Sequence, residues 1–292
     1  MTVPERPHLG RARSFLFVPA SRSERIVKAI ATDSDVVVVD LEDAVAQTDK
    51  SAARTGLSVW LDANPEERVA VRVNAAGTPW HEADLAVCRH RSVAGLLLPK
   101  AENAAQVVRA HSLSGKPVLP IIETGAGLEG LREIANAPGC ARLVFGKLDL
   151  AVELDLVPDE SDADELMFLP YRAMLVLASQ RAGLPAPVDS VYTVVGDPAG
   201  LTRYAQRARR HGFGGVLLIH PAQVFPATAA FTPSSTDVAW AKTVRAAADS
   251  AGGAAAVVEG RMIDLPVIAR AERILALADL LGITVPPTQL SP

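Results

Sequence analysis

Cysteine is scarce. Cys88 and Cys140 are the only two in 292 residues, and they stand in unrelated contexts without CxxC spacing. That excludes a disulfide framework or a zinc knuckle and leaves both as reduced packing residues. Long apolar runs are missing as well: nothing approaches the roughly 20 consecutive apolar residues of a membrane span. The opening stretch, Met1 to Arg13, carries prolines and charges but no apolar core of a signal peptide. These absences predict a cytoplasmic chain with no membrane association. An excess of charge of one sign is lacking too, since 29 Lys and Arg are interspersed with 33 Asp and Glu for a net charge of −4. No basic footprint for a nucleic acid exists, so no nucleic-acid partner is expected.

What is present is a hydrophobic fraction of 49% and a charged fraction of 21%, enough for a sizeable core and no sign of disorder. The length suits either two ordinary domains or one barrel. Short β-rich apolar runs alternate with longer segments of helical periodicity, the pattern of βαβ units. Expected strands are Ser14–Val18, Val36–Leu41, Val69–Val73, Gly95–Leu98, Pro117–Ile122, Arg142–Phe145, Val188–Tyr192 and Gly215–Ile219. Helices are expected between them at Ser23–Ala31, Lys50–Asp62, Trp80–Arg89, Asn103–His111, Leu128–Asn136, Pro170–Ala182 and Pro198–His211. Val36-Val37-Val38-Val39 is apolar at every position, as a strand buried on both faces must be.

From about Thr232 the alternation stops. Asp237–Ala248 and Pro266–Leu281 read as helices, and the Ala- and Gly-rich stretch Ala246–Gly260 reads equally as a linker and as a lid hinge. The fold expected is an α/β TIM (β/α)8 barrel with a C-terminal helical extension and lid. The boundaries are 1–231 for the barrel and 232–292 for the extension.

Active sites of such barrels lie at the C-terminal ends of the strands. In this chain polar residues gather there: Asp40-Leu41-Glu42-Asp43, Arg72-Val73-Asn74, Pro99-Lys100, Glu123-Thr124, Gly146-Lys147-Leu148-Asp149 and His220-Pro221. Glu123 and Asp149 follow adjacent strands, so two carboxylates side by side suit a hard divalent cation such as Mg2+. Arg72 offers a bidentate fork that fits a substrate carboxylate, with pairing to Asp40, Glu42 or Asp43 as the alternative. His220 reads as a general base or as a structural hydrogen-bonding group. Gly125 and Gly127 precede a helix, where backbone N–H groups approach an anion or simply turn the chain.

Eight segments carry a resemblance: Arg13-Ser-Phe-Leu-Phe-Val-Pro19, Val39-Asp-Leu-Glu-Asp-Ala-Val45, Arg72-Val-Asn74, Leu98-Pro-Lys100, Ile122-Glu-Thr124, Phe145-Gly-Lys-Leu-Asp-Leu150, Ile219-His-Pro221 and Met262-Ile-Asp-Leu-Pro266. In these the chain resembles the HpcH/HpaI aldolase–citrate lyase β-subunit family, specifically its CoA-ester lyases, over nearly its whole length. The resemblance implies Mg2+, with Mn2+ as an alternative, held by Glu123 and Asp149. It implies Arg72 gripping the oxo-acid carboxylate, with Glu123, Gly146, Lys147 and Leu148 around the substrate. Arg13, Arg22 and Lys28 are implied to meet the CoA phosphates and pantetheine. Asp264 is implied to lie on a C-terminal lid that closes over a neighbouring subunit's site in a homotrimer and to handle the proton at the thioester α-carbon. Two departures bear on loop shape: Ala20 and Asp155 stand where glycine is common in the family.

The activity so implied is Mg2+-dependent cleavage, or formation by reverse condensation, of a 3-hydroxyacyl-CoA thioester such as malyl-, citramalyl- or citryl-CoA. Alternatives are a class II 2-oxo-acid aldolase without CoA, a malate-synthase-like thioesterase, and a citrate lyase β subunit acting on an acyl-carrier thioester. A fold alone does not choose among them.

Overall fold

Val36 to Val39 are buried at every position, with a barrel interior on one side and helices on the other. The computed structural model describes residues 9–157, 164–250, 256–258 and 261–283. Eight strands close a parallel barrel in sequence order: β1 (Ser14–Pro19), β2 (Val36–Asp40), β3 (Val69–Arg72), β4 (Val93–Leu98), β5 (Val118–Ile122), β6 (Val144–Phe145), β7 (Val188–Asp189) and β8 (Gly215–Leu218). Closure comes where Ser14 pairs with Val216 and Leu16 with Leu218. This is the TIM barrel expected from the alternation.

Around it run α1 (Ser23–Ile30), α2 (Lys50–Ala63), α3 (His81–Cys88), α4 (Ala104–Ser114), α5 (Gly125–Glu129), α6 (Leu131–Ala135), α7 (Lys147–Glu153), α8 (Leu169–Arg181), α9 (Pro198–Arg210) and α10 (Val224–Phe231). Local chemistry sets their ends. Asn103 caps α4 by accepting from the Gln106 amide, and Asp197 caps α9 by accepting from Gly200 with Pro198 in the first turn. Among the described residues no helix is long and apolar enough to cross a membrane.

Side-chain alternation along each strand sorts the core into two layers. Phe15, Val36, Val38, Ala70, Leu97, Leu119, Ile121, Val144, Val188 and Leu217 fill the barrel interior. Their neighbours Leu16, Val37, Val39, Val71, Leu96, Leu98, Ile122, Phe145 and Leu218 pack against the helices. Carrying the inward parity two residues further places Asp40, Arg72, Glu123, Gly146 and Ser190 over the C-terminal mouth. The hydrophobic layers therefore decide which polar residues meet there.

Behind the mouth, buried Arg172 on α8 directs Nε to both Asp189 oxygens at 3.1 and 3.0 Å and Nη2 to the Tyr204 hydroxyl at 3.1 Å. The rings of Phe145, Tyr204 and Phe168 surround its guanidinium at 5.5, 5.6 and 5.9 Å. Replacing Arg172 with methionine strands the Asp189 carboxylate, so a loss of about 3–5 kcal/mol is expected in urea unfolding. Adding Asp189→Asn should recover much of it, and an unchanged midpoint in the single variant would contradict this account.

The chain divides into two compact units, Met1–Phe231 and Thr232–Pro292. In the second, α11 (Ser235–Ser250) and α12 (Leu265–Leu280) pack together through Ala241, Val244 and Ala271, joined by Ile263. Two short antiparallel strands, β9 (Ala256–Val258) and β10 (Arg261–Ile263), lie between these helices in sequence. Of the stretch read as a linker or hinge, residues 251–255 and 259–260 lie outside the described residues, as do residues 1–8 of the charged opening stretch.

Candidate active site

A cavity of about 390 Å3 opens at the C-terminal mouth, lined among others by Phe17, Asp40, Arg72, Glu123, Gly146, Leu148, Asp149 and Ser190. Asp40, at the end of β2, is the organiser. Its two oxygens accept from the Glu42 and Ala44 amides at 2.9 and 3.1 Å and from Arg72 Nε and Nη2 at 2.7 and 2.6 Å. Of the readings of Arg72 left open by the sequence, the pairing with Asp40, Glu42 and Asp43 is the one the structure shows. Its side-on edge is spent on Asp40, Nη1 lies 3.2 Å from Glu42 and 3.6 Å from Asp43, and the ring of Phe17 supports the guanidinium at 4.7 Å. An incoming carboxylate would meet the end-on Nη1–Nη2 edge instead of the side-on fork.

Glu123, just beyond β5, is buried, and its Oε1 accepts from the Lys100 amide at 2.8 Å. Burial first, and the Asp149 charge second, push its pKa up from 4.5 to about 8. Gly146 makes room for it: a β-carbon there would strike the Glu123 carboxylate. Asp149 sits in the first turn of α7 with its side chain 40% exposed. Two oxygen-donor groups, one buried and one open to solvent, fit a dication that keeps waters or substrate in its other positions. Among the described residues no group of three or more His, Cys, Asp or Glu assembles into a closed metal cage. Mg2+ is commonly held by one or two carboxylates rather than an all-protein cage.

Lys100 was quoted from the sequence without a role, and it is central. Its ammonium lies 2.8 Å from Glu42 Oε1 and 3.7 Å from Asp149 Oδ1. Its backbone is left-handed, with φ 49, which costs a side-chain-bearing residue roughly 1–2 kcal/mol. A polar residue directly after Pro99, at the end of a buried strand, was the available signal. Ser190 is the other omission: two residues beyond inward-facing Val188, it lines the cavity and accepts from the Lys147 amide at 3.1 Å.

Several expectations need correcting. Lys147 does not send its side chain into the cavity. With Gly146 facing inward, Lys147 faces the helix layer, buried, with its ammonium 4.9 Å from the Tyr204 ring. Gly146 and Leu148 on either side do line the cavity. Arg13 precedes the first residue of β1, at the opposite end of the barrel from the mouth. There its Nε and Nη2 grip Asp35 at 3.0 Å each. A strand of that length holds it about 20 Å away from the mouth.

Arg22 stands at the start of α1 on the mouth side, and Lys28 lies about 9 Å further along the helix axis. Both are exposed, and exposed Arg25 continues their three-residue spacing, a member of the stripe that sequence reasoning passed over. Gly125 and Gly127 present no free amides, since these donate to Glu153 Oε1 and Thr124 Oγ1 at 2.8 and 3.0 Å. His220 takes the structural role, its Nδ1 accepting from the Ala222 amide while Gln223 caps in return. Asp155, where family members commonly carry glycine, adopts the left-handed conformation at φ 54, which aspartate tolerates better than most residues.

Asp264 is exposed and caps α12, accepting from the Val267 amide at 3.3 Å. The pairing leaves its second oxygen free of the cap.

A model of the HpcH/HpaI aldolase/citrate lyase family matches residues 13–221. A citrate lyase subunit beta-like protein of Mycobacterium tuberculosis is 38% identical over 264 residues, spanning 89% of this chain and 93% of the relative. A (3S)-malyl-CoA thioesterase of Cereibacter sphaeroides is 34% identical over 277 residues, spanning 92% and 95%. Among solved structures, that of CitE from Mycobacterium tuberculosis in complex with magnesium, acetoacetate and coenzyme A matches with a TM-score of 0.79 at 35% identity. The match covers 93% of this chain and 100% of that one. At such identity and coverage the chain belongs to the HpcH/HpaI aldolase/citrate lyase family and is an enzyme of the lyase class.

Proposed function

We propose that this lyase is a Mg2+-dependent CoA-ester lyase, which cleaves a 3-hydroxyacyl-CoA thioester such as malyl-, citramalyl- or citryl-CoA to an acyl-CoA and a 2-oxo acid, or runs the reverse condensation. The observation that carries this reading is the Glu123–Asp149 carboxylate pair facing Arg72 across one cavity. The CitE relative holding magnesium, acetoacetate and coenzyme A together supports the same ligand set.

When bound, Mg2+ supplies Lewis-acid polarisation of the carbonyl that forms as the carbon–carbon bond breaks. Glu123 and Asp149 hold it. Arg72, aimed by Asp40, takes the acid's carboxylate on its end-on edge and orients the reacting bond. In cleavage, the electron pair of the broken bond passes to the thioester α-carbon, the hydroxyl proton leaves to water, and Asp264 delivers a proton to that carbon. In condensation Asp264 removes it. Asp264 acts from a neighbouring subunit of a homotrimer, and Arg22 and Lys28, with Arg25 between them, meet the CoA phosphates.

The test is a panel of malyl-, citramalyl-, methylmalyl- and citryl-CoA, followed for release of glyoxylate, pyruvate or oxaloacetate. One thioester should give an oxo acid and an intact acyl-CoA with Mg2+ and fall to background in EDTA. Because one relative is named a thioesterase, free CoA is measured in the same assay. Free CoA as the main product moves the assignment to a thioesterase, and failure to bind CoA moves it to an aldolase.

A further inference from the structure

The charged groups at the mouth are arranged in a string of alternating sign. It runs from Asp40 to Arg72 at 2.6 Å, from Arg72 to Glu42 at 3.2 Å, from Glu42 to Lys100 at 2.8 Å, and from Lys100 to Asp149 at 3.7 Å. Lys100 is the link between the half of the cavity with the guanidinium and the half with the paired carboxylates. Its amide holds Glu123 and its ammonium reaches Glu42 and Asp149, so three acidic groups converge on one residue. The backbone there argues against a side chain at all, since φ 49 is the region glycine adopts freely. Strain of this kind persists where the surroundings over-determine it, commonly at functional clefts. Glu42 is held from both sides, its Oε2 3.2 Å from Arg72 Nη1 and its Oε1 2.8 Å from the Lys100 ammonium.

We infer that Lys100 is a positioning residue that acts as a built-in counter-cation, gathering Glu42, Glu123 and Asp149 before a divalent cation arrives and then competing with that cation for Asp149. This rests on the reading of Glu123 and Asp149 as the metal-holding pair. Two cations cannot share one carboxylate without repulsion. The four-carbon stem of lysine lets the ammonium withdraw to Glu42 as the dication enters. The side chain is 38% exposed, so solvent screens the repulsion and keeps its effect moderate.

The experiment is calorimetric titration of the full chain with Mg2+ alone, at a pH where Glu123 is ionised. Lys100→Met keeps the stem and removes the charge, and it is expected to tighten Mg2+ binding roughly 3- to 10-fold. Lys100→Gly removes the charge and relieves the left-handed backbone, and it should show the same gain with an undiminished melting temperature. A scaffold role alone predicts the opposite sign, because released Glu42 and Glu123 would drift from the site. Unchanged or weaker affinity in the folded Met variant, or in the Gly variant should Met fail to fold, overturns the inference. If the wild-type chain binds no Mg2+, the metal reading falls and this one with it; if it binds and the variants match it, this one falls alone.

Discussion

Glu123→Gln is expected to weaken Mg2+ binding by more than about 100-fold, beyond the range of roughly 10- to 100-fold that changes outside the coordination shell produce. Thioester cleavage should fall with it. Glutamine keeps the shape and keeps an oxygen for the Lys100 amide, so the variant should fold. It also removes a pH dependence whose sign is fixed by the site. Burial and Asp149 raise the Glu123 pKa from 4.5 to about 8, so between these values the folded chain binds a proton that the unfolded chain does not. Stability from this group is therefore full below 4.5 and lost as pH rises through 8. Without divalent cations the wild-type melting temperature should fall across that window, and Glu123→Gln should flatten the slope. Mg2+ must displace the same proton, so its affinity should rise by up to about tenfold per pH unit and level off above 8. A wild-type affinity that is flat with pH, or a variant that binds Mg2+ normally, removes Glu123 from the metal.

The barrel was legible because its strands are buried on both faces and hence apolar without interruption, as in Val36 to Val39. The polar cluster was legible where a polar residue directly ends such a run, as at Asp40, Arg72 and Glu123, whereas Asp149 follows β6 only four residues on, in the first turn of α7. What stayed hidden depended on direction. Neither Lys147 pointing outward nor Ser190 pointing inward follows from residue type, but both follow from parity with Val144 and Val188. The end of β7 was placed too late because Asp189 Oδ1 accepts the Ser190 amide and takes it from the ladder. Helix α7 is too short, at seven residues, to show periodicity, and α10 carries Pro226 in its first turn. The position of Arg13 before β1, paired with Asp35, was not legible either, since a motif fixes proximity in sequence and not which end of a strand a residue occupies.

Asp264→Asn separates proton handling from everything else in this chain. General acid–base help is worth roughly 10²- to 10⁴-fold, and a loss of that size in turnover is expected. Asparagine is as good a helix cap as aspartate, so the bond to the Val267 amide that begins α12 should survive and the fold with it. Alanine would remove that cap, at about 1 kcal/mol, and confuse the two effects. Mg2+ affinity should be unchanged, because the proposed metal pair is Glu123, just beyond β5, and Asp149, in the first turn of α7. Exchange of the α-proton of acetyl-CoA or propionyl-CoA with solvent should fall in parallel with cleavage. Mixing Asp264→Asn chains with Arg72→Ala chains then tests the assembly: if the aspartate serves a neighbouring subunit, some sites regain both groups and activity returns. Full activity in the single variant denies Asp264 the proton, whereas a loss that mixing does not repair leaves it the proton and denies the exchange between subunits.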